Sequence, residues 1–335
     1  MSPPFLTIAI PTYNRLRWVS MTLPRVLEEV AAHPGTAIEV LVSDNCGSDG
    51  TLAYLTDLAR GNPPLKVSRT ERNLGAEGNV RRLTHLAKGR YLWLIGDDDL
   101  LEPGALGRVV SALEGEPDYL VLNYDCYNDN LNEVRNQNVL RLRGTTEVKD
   151  RDTPVRMLPH FGFGFLSCWV GKREFFESAP EEALREMIPY GMMVLIDRYW
   201  GVSTFTRGRI LGDIFLRTRQ AGPADFPAGF NFFEWFVVGG VKTLEYLIGQ
   251  SRINPGLAGR QRRWLMLKGL IPRVLVERMN GQFRFAPTYR MLTPCLGSDW
   301  FYWAICLPVM TLPGVGLVAR IARAFVRTRR KFAAK

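Results

Sequence analysis

Gly96-Asp97-Asp98-Asp99 closes the wholly apolar run 91–95. Three adjacent carboxylates repel one another, and a strand end has no structural need of them. Their oxygens are hard ligands of the kind that suit Mg²⁺ or Mn²⁺ bridging a diphosphate. Alternation along an extended chain sets Asp97 and Asp99 on one side and Asp98 on the other, so the three need not share one ion. The plain alternative is an acidic surface turn that caps the helix starting near Pro103. Pro11-Thr12-Tyr13-Asn14-Arg15 follows another apolar run, 6–10. Side chains and free N–H groups at a helix start can grip a base and a phosphate there, or Thr12 or Asn14 simply caps the helix. In Ser43-Asp44-Asn45-Cys46-Gly47-Ser48-Asp49-Gly50-Thr51, Asp44 stands at a strand end, able to accept from a base or ribose hydroxyl, while Asp49 or Ser48 suits a helix cap. In Asn73-Leu74-Gly75-Ala76-Glu77-Gly78-Asn79 the glycines let backbone approach a ligand.

The elements between these clusters alternate. Short β-branched or aliphatic runs at 6–10, 38–43, 65–69, 91–95 and 119–124 read as strands, and helical spacing fills 15–32, 51–58 and 78–87. Strands separated by helices imply crossovers and a largely parallel sheet covered on both faces. Ligands then sit beyond the carboxyl ends of the strands, where the polar clusters lie. Residues 127–153 are polar with a weak strand at 138–142. The aromatic, glycine-rich run 161–169 suits sugar rings or core packing equally. A boundary is expected at 221–229, dividing a domain of residues 1–220 from a helical region of 221–335.

Of 335 residues, 46% are hydrophobic and 23% charged, which excludes a disordered or low-complexity chain. Five scattered cysteines without a CxxC pair exclude a zinc ribbon and fit a reducing compartment. Met-Ser-Pro-Pro runs straight into a strand, so no signal peptide is expected. The formal charge of +10 is uneven: residues 251–335 hold 16 Lys and Arg against two acids, and the first 250 hold 27 against 31. That asymmetry argues against nucleic acid as the partner and marks the C-terminal quarter as the part that meets an anionic surface. It also contains twenty uncharged residues, 300–319, opening with Trp300-Phe301-Tyr302-Trp303 and interrupted by Pro308, Pro313, Gly314 and Gly316. Interfacial aromatics, a broken apolar stretch and a basic tail suit a helical hairpin or interfacial helix on an anionic leaflet.

Taken in order, the four polar clusters resemble the nucleotide-sugar half of the family 2 glycosyltransferases of the GT-A fold. Those proteins usually show P-x-Y-N, D-[DN]-x-S-x-D-G-T, N-x-G and D-x-D-type segments. The resemblance is clear over residues 6–105 and fainter to about 219. It implies a Rossmann-like α/β domain that binds a nucleotide-diphosphate sugar with Mg²⁺ or Mn²⁺. Pro11, Thr12 and Tyr13 would flank the base and Asp44 would hold base or ribose. Asp98 would meet the ribose and Asp99 the metal–diphosphate, with Asn14, Arg15, Asn73, Gly75, Asn79 and Asp97 completing the site. Gly96 replaces the first Asp of the usual L-D-x-D-D form and matches the G-D-D-D subset seen among abequosyltransferase-like O-antigen sugar transferases.

An inverting transfer needs a base for the acceptor hydroxyl. In the family this is usually the Asp of an E-D pair about eleven residues before a Gly that precedes a strand. Counting back from Gly208 gives Asp197, with Ile196 in place of the Glu; Asp213 and Glu182 are lesser candidates, and an Asp197–Arg198 surface pair is the plain alternative. The expected acceptor is a polyprenyl-diphosphate-linked saccharide at the cytoplasmic face of a bacterial inner membrane. The rival is a non-catalytic nucleotide-binding scaffold of a polysaccharide assembly complex. A nucleotidyltransferase would need a Gly-rich triphosphate loop after the first strand, and none is present.

Overall fold

β1 (Leu6–Thr12), α1 (Leu16–Ala31), β2 (Ile38–Asp44), α2 (Thr51–Gly61), β3 (Leu65–Arg69), α3 (Gly75–Leu86) and β4 (Tyr91–Leu94) alternate strand with helix. The computed structural model describes residues 3–220 and 231–315. β1, β2 and β4 are almost wholly buried, which is why they are runs of Ile, Val, Leu and aromatic residues rather than alternating patterns. They pair in parallel with β3 in the order β3-β2-β1-β4. Right-handed crossovers then place α1 and α2 on one face and α3 on the other.

Beyond β4 the chain continues through β5 (Leu100–Leu101), α4 (Ala105–Leu113) and β6 (Tyr119–Tyr127) to β7 (Val134–Asn136) and β8 (Thr145–Val148). α5 (Asp152–Met157), α6 (His160–Gly164), β9 (Trp169–Lys172), α7 (Glu181–Met187), α8 (Met193–Thr204) and β10 (Gly208–Arg219) complete this half. The sheet extends as β4-β9-β6-β10-β5, with β9 antiparallel to both neighbours. β10 shifts register against β6 between Leu211 and Leu216, a bulge of the kind that re-aims the strand beyond it.

Two expectations change here. Residues 138–142 form a turn, with Asn138 and Arg141 at φ of 46° and 57°, and the paired strands lie on either side of it. The aromatic run 161–169 is core only in part: Phe163 and Trp169 are fully buried and Trp169 begins a strand in the middle of the sheet, while Phe161, Phe165 and Leu166 are half-buried and Gly164 is exposed.

The chain divides into two compact units, Met1–Ile188 with Met193–Pro227, and Pro189–Met192 with Ala228–Lys335. The second unit is helical: α9 (Gly239–Gly249), α10 (Pro255–Trp264), α11 (Ile271–Met279), α12 (Phe285–Leu296) and α13 (Leu307–Thr311). Asn254 caps α10 by accepting the Gly256 N–H at 2.9 Å, with Pro255 as the first helical residue. Among the described residues no helix is long and apolar enough to cross a membrane. The expected boundary at 221–229 and the basic tail from Arg320 lie outside the described residues.

Candidate active site

Parallel pairing aligns the carboxyl ends of β1, β2 and β4, so the loops after them share one edge. Thr12 faces Asp44 across the β1–β2 ladder, and the Ile95 N–H reaches the Ala9 carbonyl beside it. Gly96 to Asp99 then form a tight turn, closed by the Asp99 N–H donating to the Gly96 carbonyl at 3.1 Å. Because the backbone turns, strand alternation does not govern the three carboxylates. Asp97 and Asp98 face the same guanidinium and Asp99 goes elsewhere. Thr12 Oγ1 donates to Asp97 Oδ2 at 2.7 Å and Arg15 Nε to Asp97 Oδ1 at 3.1 Å. Asp98 Oδ2 accepts from Arg15 Nη2 at 2.5 Å and from Arg219 Nε and Nη2 at 3.0 and 2.8 Å. Asp99 Oδ2 accepts from Ser167 Oγ at 2.5 Å, and Ser167 in turn accepts the Gly96 N–H at 2.8 Å.

Burial raises the Asp97 carboxyl to about 6, with Arg15 and Thr12 pulling it down and Asp98 pushing it up. Asp99 is held well above the carboxylate range, first by burial and then by the neighbouring charge of Asp98. Gly96 is what leaves these groups room: a Cβ there would lie 2.8 Å from Asp99 Oδ2 and 3.3 Å from Asp98 Oδ1. Asp98 and Asp99 therefore both pack against Gly96, and of the three carboxylates only Asp98 is not buried. No group of three or more His, Cys, Asp or Glu side chains among the described residues could hold a metal unaided. Two carboxylates plus phosphate oxygens and water are the donor set Mg²⁺ accepts, so the residues fit a cation shared with a diphosphate.

The neighbouring loops are locked to each other. The Asp44 carboxylate is fully buried and accepts the Gly47 N–H with both oxygens, at 3.1 and 3.3 Å, with Arg69 Nε 3.8 Å away. Asn14, at φ 52°, accepts the Ser48 N–H at 2.7 Å. Gly47 is required between them, since a Cβ would sit 2.7 Å from Asp44 Oδ1 and 3.1 Å from Asn14 Oδ1. Neither Thr12 nor Asn14 caps α1. Asp49 does, accepting the Leu16 N–H at 2.9 Å while its other oxygen accepts the Thr51 N–H at 3.1 Å and so starts α2 as well. Asn45 donates to Asn73 Oδ1 and the Gly75 carbonyl at 2.9 and 3.0 Å, which brings the third loop alongside. Tyr13 is exposed and Pro11 half-buried on the same edge.

Two expected site residues do not join this cluster. Asn79 is buried in α3, where its amide bonds Ser43 twice, at 2.6 and 3.0 Å, and so ties α3 to β2. Asp197 sits in the second turn of α8 in a buried ion pair with Arg198, Oδ2 to Nη1 at 2.5 Å. This is an interior pair, not a surface one. Burial pushes Asp197 up to about 7 against the pull of Arg198. Its Oδ1 and the Nε and Nη2 of Arg198 are sealed in without hydrogen-bond partners. Both residues line a cavity of about 80 Å³ together with Val80, Leu94 and Met193, and no residue of the 96–99 turn lines it.

Residues 7–178 match the family model for glycosyl transferase family 2, about half of the chain. The chain belongs to that family. Among curated relatives, abequosyltransferase RfbV of Salmonella typhimurium is 28% identical over 188 residues, covering 53% of this chain and 56% of its own. The succinoglycan biosynthesis protein ExoO of Rhizobium meliloti is 26% identical over 196 residues, covering 54% of this chain and 52% of its own. The chain thus spans about half the length of the curated relatives it matches. Among solved structures, Staphylococcus aureus TarS 1–349 in complex with UDP-GlcNAc superposes with a TM-score of 0.62 at 16% identity, over 95% of this chain and 87% of that one. This likeness shows the fold, the GT-A fold that the resemblance implies.

Sequence reasoning on this family 2 chain missed Ser167 and Arg219. Ser167 lies in the aromatic run and Arg219 at the end of β10, more than a hundred residues from the carboxylate it holds. Neither carries a local signal.

Proposed function

We propose that the chain transfers a sugar, with inversion, from a nucleotide-diphosphate donor to a saccharide acceptor in bacterial cell-surface polysaccharide synthesis. The observation that carries this is the turn 96–99, which gathers Asp97, Asp98 and Asp99 with Arg15 at the carboxyl edge of a parallel sheet. Pro11, Thr12 and Tyr13 flank the base, Asp44 holds base or ribose, and the Asn73–Gly75 loop closes the side. Arg15, which already links Asp97 to Asp98, lies where a diphosphate meets these carboxylates. Asp98 and Asp99 would hold Mg²⁺ or Mn²⁺, which when bound offsets the negative charge developing on the leaving diphosphate. A thermal-shift screen of UDP-, GDP-, dTDP- and CDP-sugars with and without Mn²⁺ tests the reading, because a ligand of the folded state raises its stability. At least one Mn²⁺-enhanced shift is expected; none with any nucleotide sinks the idea.

The acceptor we propose is a polyprenyl-diphosphate-linked saccharide, met at the cytoplasmic face of the inner membrane. Support comes from the second unit, where Trp300 (66% exposed), Trp303, Ile305 and Leu312 stand open to solvent in the most basic quarter of the chain. Tryptophans beside bases suit the headgroup region of an anionic bilayer. Replacing Trp300 and Trp303 together by Ser in the full chain should weaken sedimentation with phosphatidylglycerol vesicles several-fold. Unaltered sedimentation removes this part of the proposal and leaves the transfer chemistry standing.

A further inference from the structure

β10 and β5 pair antiparallel, Leu216 with Leu101 and Arg217 with Leu100. Carried two residues further, that register sets Arg219, the last residue of β10, opposite Asp98 of the acidic turn. The Arg219 side chain is only 4% exposed and is held on three sides. Nε and Nη2 donate to Asp98 Oδ2 at 3.0 and 2.8 Å, and Nη1 donates to Asp129 Oδ1 at 3.1 Å. The guanidinium carbon lies 4.5 Å from the centre of the Trp18 ring on α1. Arg15 Nη2 meets the same Asp98 oxygen from the first loop at 2.5 Å. All these bonds to Asp98 land on Oδ2, and among the described residues Oδ1 receives none. That second oxygen lies beside Gly96, 3.3 Å from where a Cβ would sit.

Arg217, two residues earlier on the same strand, shows what a structural pair looks like. It meets Glu102 fork to fork, Nε with Oε1 at 2.6 Å and Nη2 with Oε2 at 3.0 Å, so each carboxylate oxygen has its own donor. Arg219 instead crowds two donors onto one oxygen of Asp98 and gives its third nitrogen to a different acid. Stability alone has no reason to forgo half of the bidentate match. We infer that Arg219 is a positioning residue for the transfer proposed above: by fixing Asp98 Oδ2 it turns Oδ1 toward the bound donor. This role rests on that reading of the site, and it is exerted through Asp98 rather than on a reacting atom. With Arg15, Arg219 also brings two positive charges to a turn of three carboxylates, which lowers the repulsion a diphosphate meets there.

Binding and turnover of the full chain, measured separately, test this. Binding is read by thermal shift with UDP-, GDP-, dTDP- and CDP-sugars, with and without Mn²⁺. Turnover is read by release of nucleoside diphosphate from the same donors, with water as acceptor. Arg219→Lys keeps the charge and most of the stem over Trp18 but offers one ammonium in place of the fork. Donor affinity and donor KM should both worsen about tenfold, the scale for losing the partner that orients a ligating group. The kcat should stay within about threefold, because the lost interaction is made already in the bound ground state. Arg219→Met should lose about a hundredfold in kcat/KM, more than Arg219→Lys does. Arg217→Met removes the neighbouring pair with Glu102 and should leave affinity and KM within about twofold, as a change away from the site does. Unchanged affinity and KM in Arg219→Lys, whatever its kcat, overturn the proposal and spare the transfer reading. Equal losses in Arg217→Met do the same, since any break along β10 would then suffice. If Arg219→Met fails to fold, Arg219→Lys and Arg217→Met decide alone. A wild-type chain that neither binds nor cleaves any of these donors overturns both.

Discussion

Asp97, Asp98 and Asp99 crowd one four-residue turn, yet Thr12, Arg15, Arg219 and Ser167 between them supply hydrogen bonds to all three. Asp197 stands by itself on α8 with one guanidinium beside it, and both partners of that pair keep buried polar atoms without a bond. Both regions bury carboxyl groups and in both burial raises their proton affinity. They differ in how the carboxyls are satisfied. Asp98 keeps 19% of its side chain open, but Asp97 at 9% and Asp197 at 10% are equally deep, and Arg198, which stacks on Phe176 at 4.2 Å, keeps 1%. Each crowded carboxylate on the turn is thus bonded, while the lone pair on α8 borders a cavity with polar atoms left over.

The comparison breaks most sharply on stability. Arg198→Gln leaves Asp197 buried without a counter-charge and should cost roughly 3–5 kcal/mol in urea unfolding. Replacing both members together, as in Asp197→Leu with Arg198→Met, should recover most of that loss, because two apolar side chains leave no polar atom orphaned. A cost within about 0.5 kcal/mol, the range of an ordinary surface change, would show that the pair is hydrated and open after all. On the acidic turn the order reverses, with activity suffering and folding spared. Asp99→Ala removes a carboxyl that burial disfavours in its charged form, so stability should hold or rise. Donor cleavage should drop about a hundredfold and the Mn²⁺-dependent thermal shift should disappear. A variant that retains the shift would move the cation away from this turn.

Legibility in the sequence follows the same division. The strands β1, β2 and β4 and the polar clusters after them were readable because a strand buried on both faces must be a continuous apolar run, and because a local turn keeps its chemistry local. Asp44, Asp49 and the 96–99 turn are of this kind. β9 was hidden because Trp169–Lys172 is only four residues, Trp, Val, Gly and Lys, recruited by neighbours that lie far away in sequence. Ser167 and Arg219 were hidden for a related reason, since their roles exist only after the sheet closes and the β10 bulge is in place. Asp197 was singled out by counting alone, and its surroundings were not legible. Counting back from Gly208 places it correctly on a helix, but α8 begins at Met193, and that puts Asp197 one turn inside the fold.

Glu77 sharpens the comparison at its weakest point, because it is raised like Asp197 yet lies half-open like Asp98. Its ordinary value of 4.5 applies to the unfolded chain and about 7 to the folded one. Between those pH values the folded chain binds more protons, so this group's contribution to stability is greatest below pH 4.5 and declines as pH rises through 7. Near the middle of that window the decline is about 1 kcal/mol per pH unit. Asp97 adds a slope of the same sign over a lower range, since it too is raised, to about 6. Glu77→Gln cannot titrate, and its unfolding free energy, measured by urea at several pH values, should fall less steeply than that of wild type between about pH 5 and 7. Equal slopes would mean that solvent reaches the Glu77 carboxyl freely. It would then be an ordinary surface cap, and the contrast with Asp197 would reduce to one of depth alone.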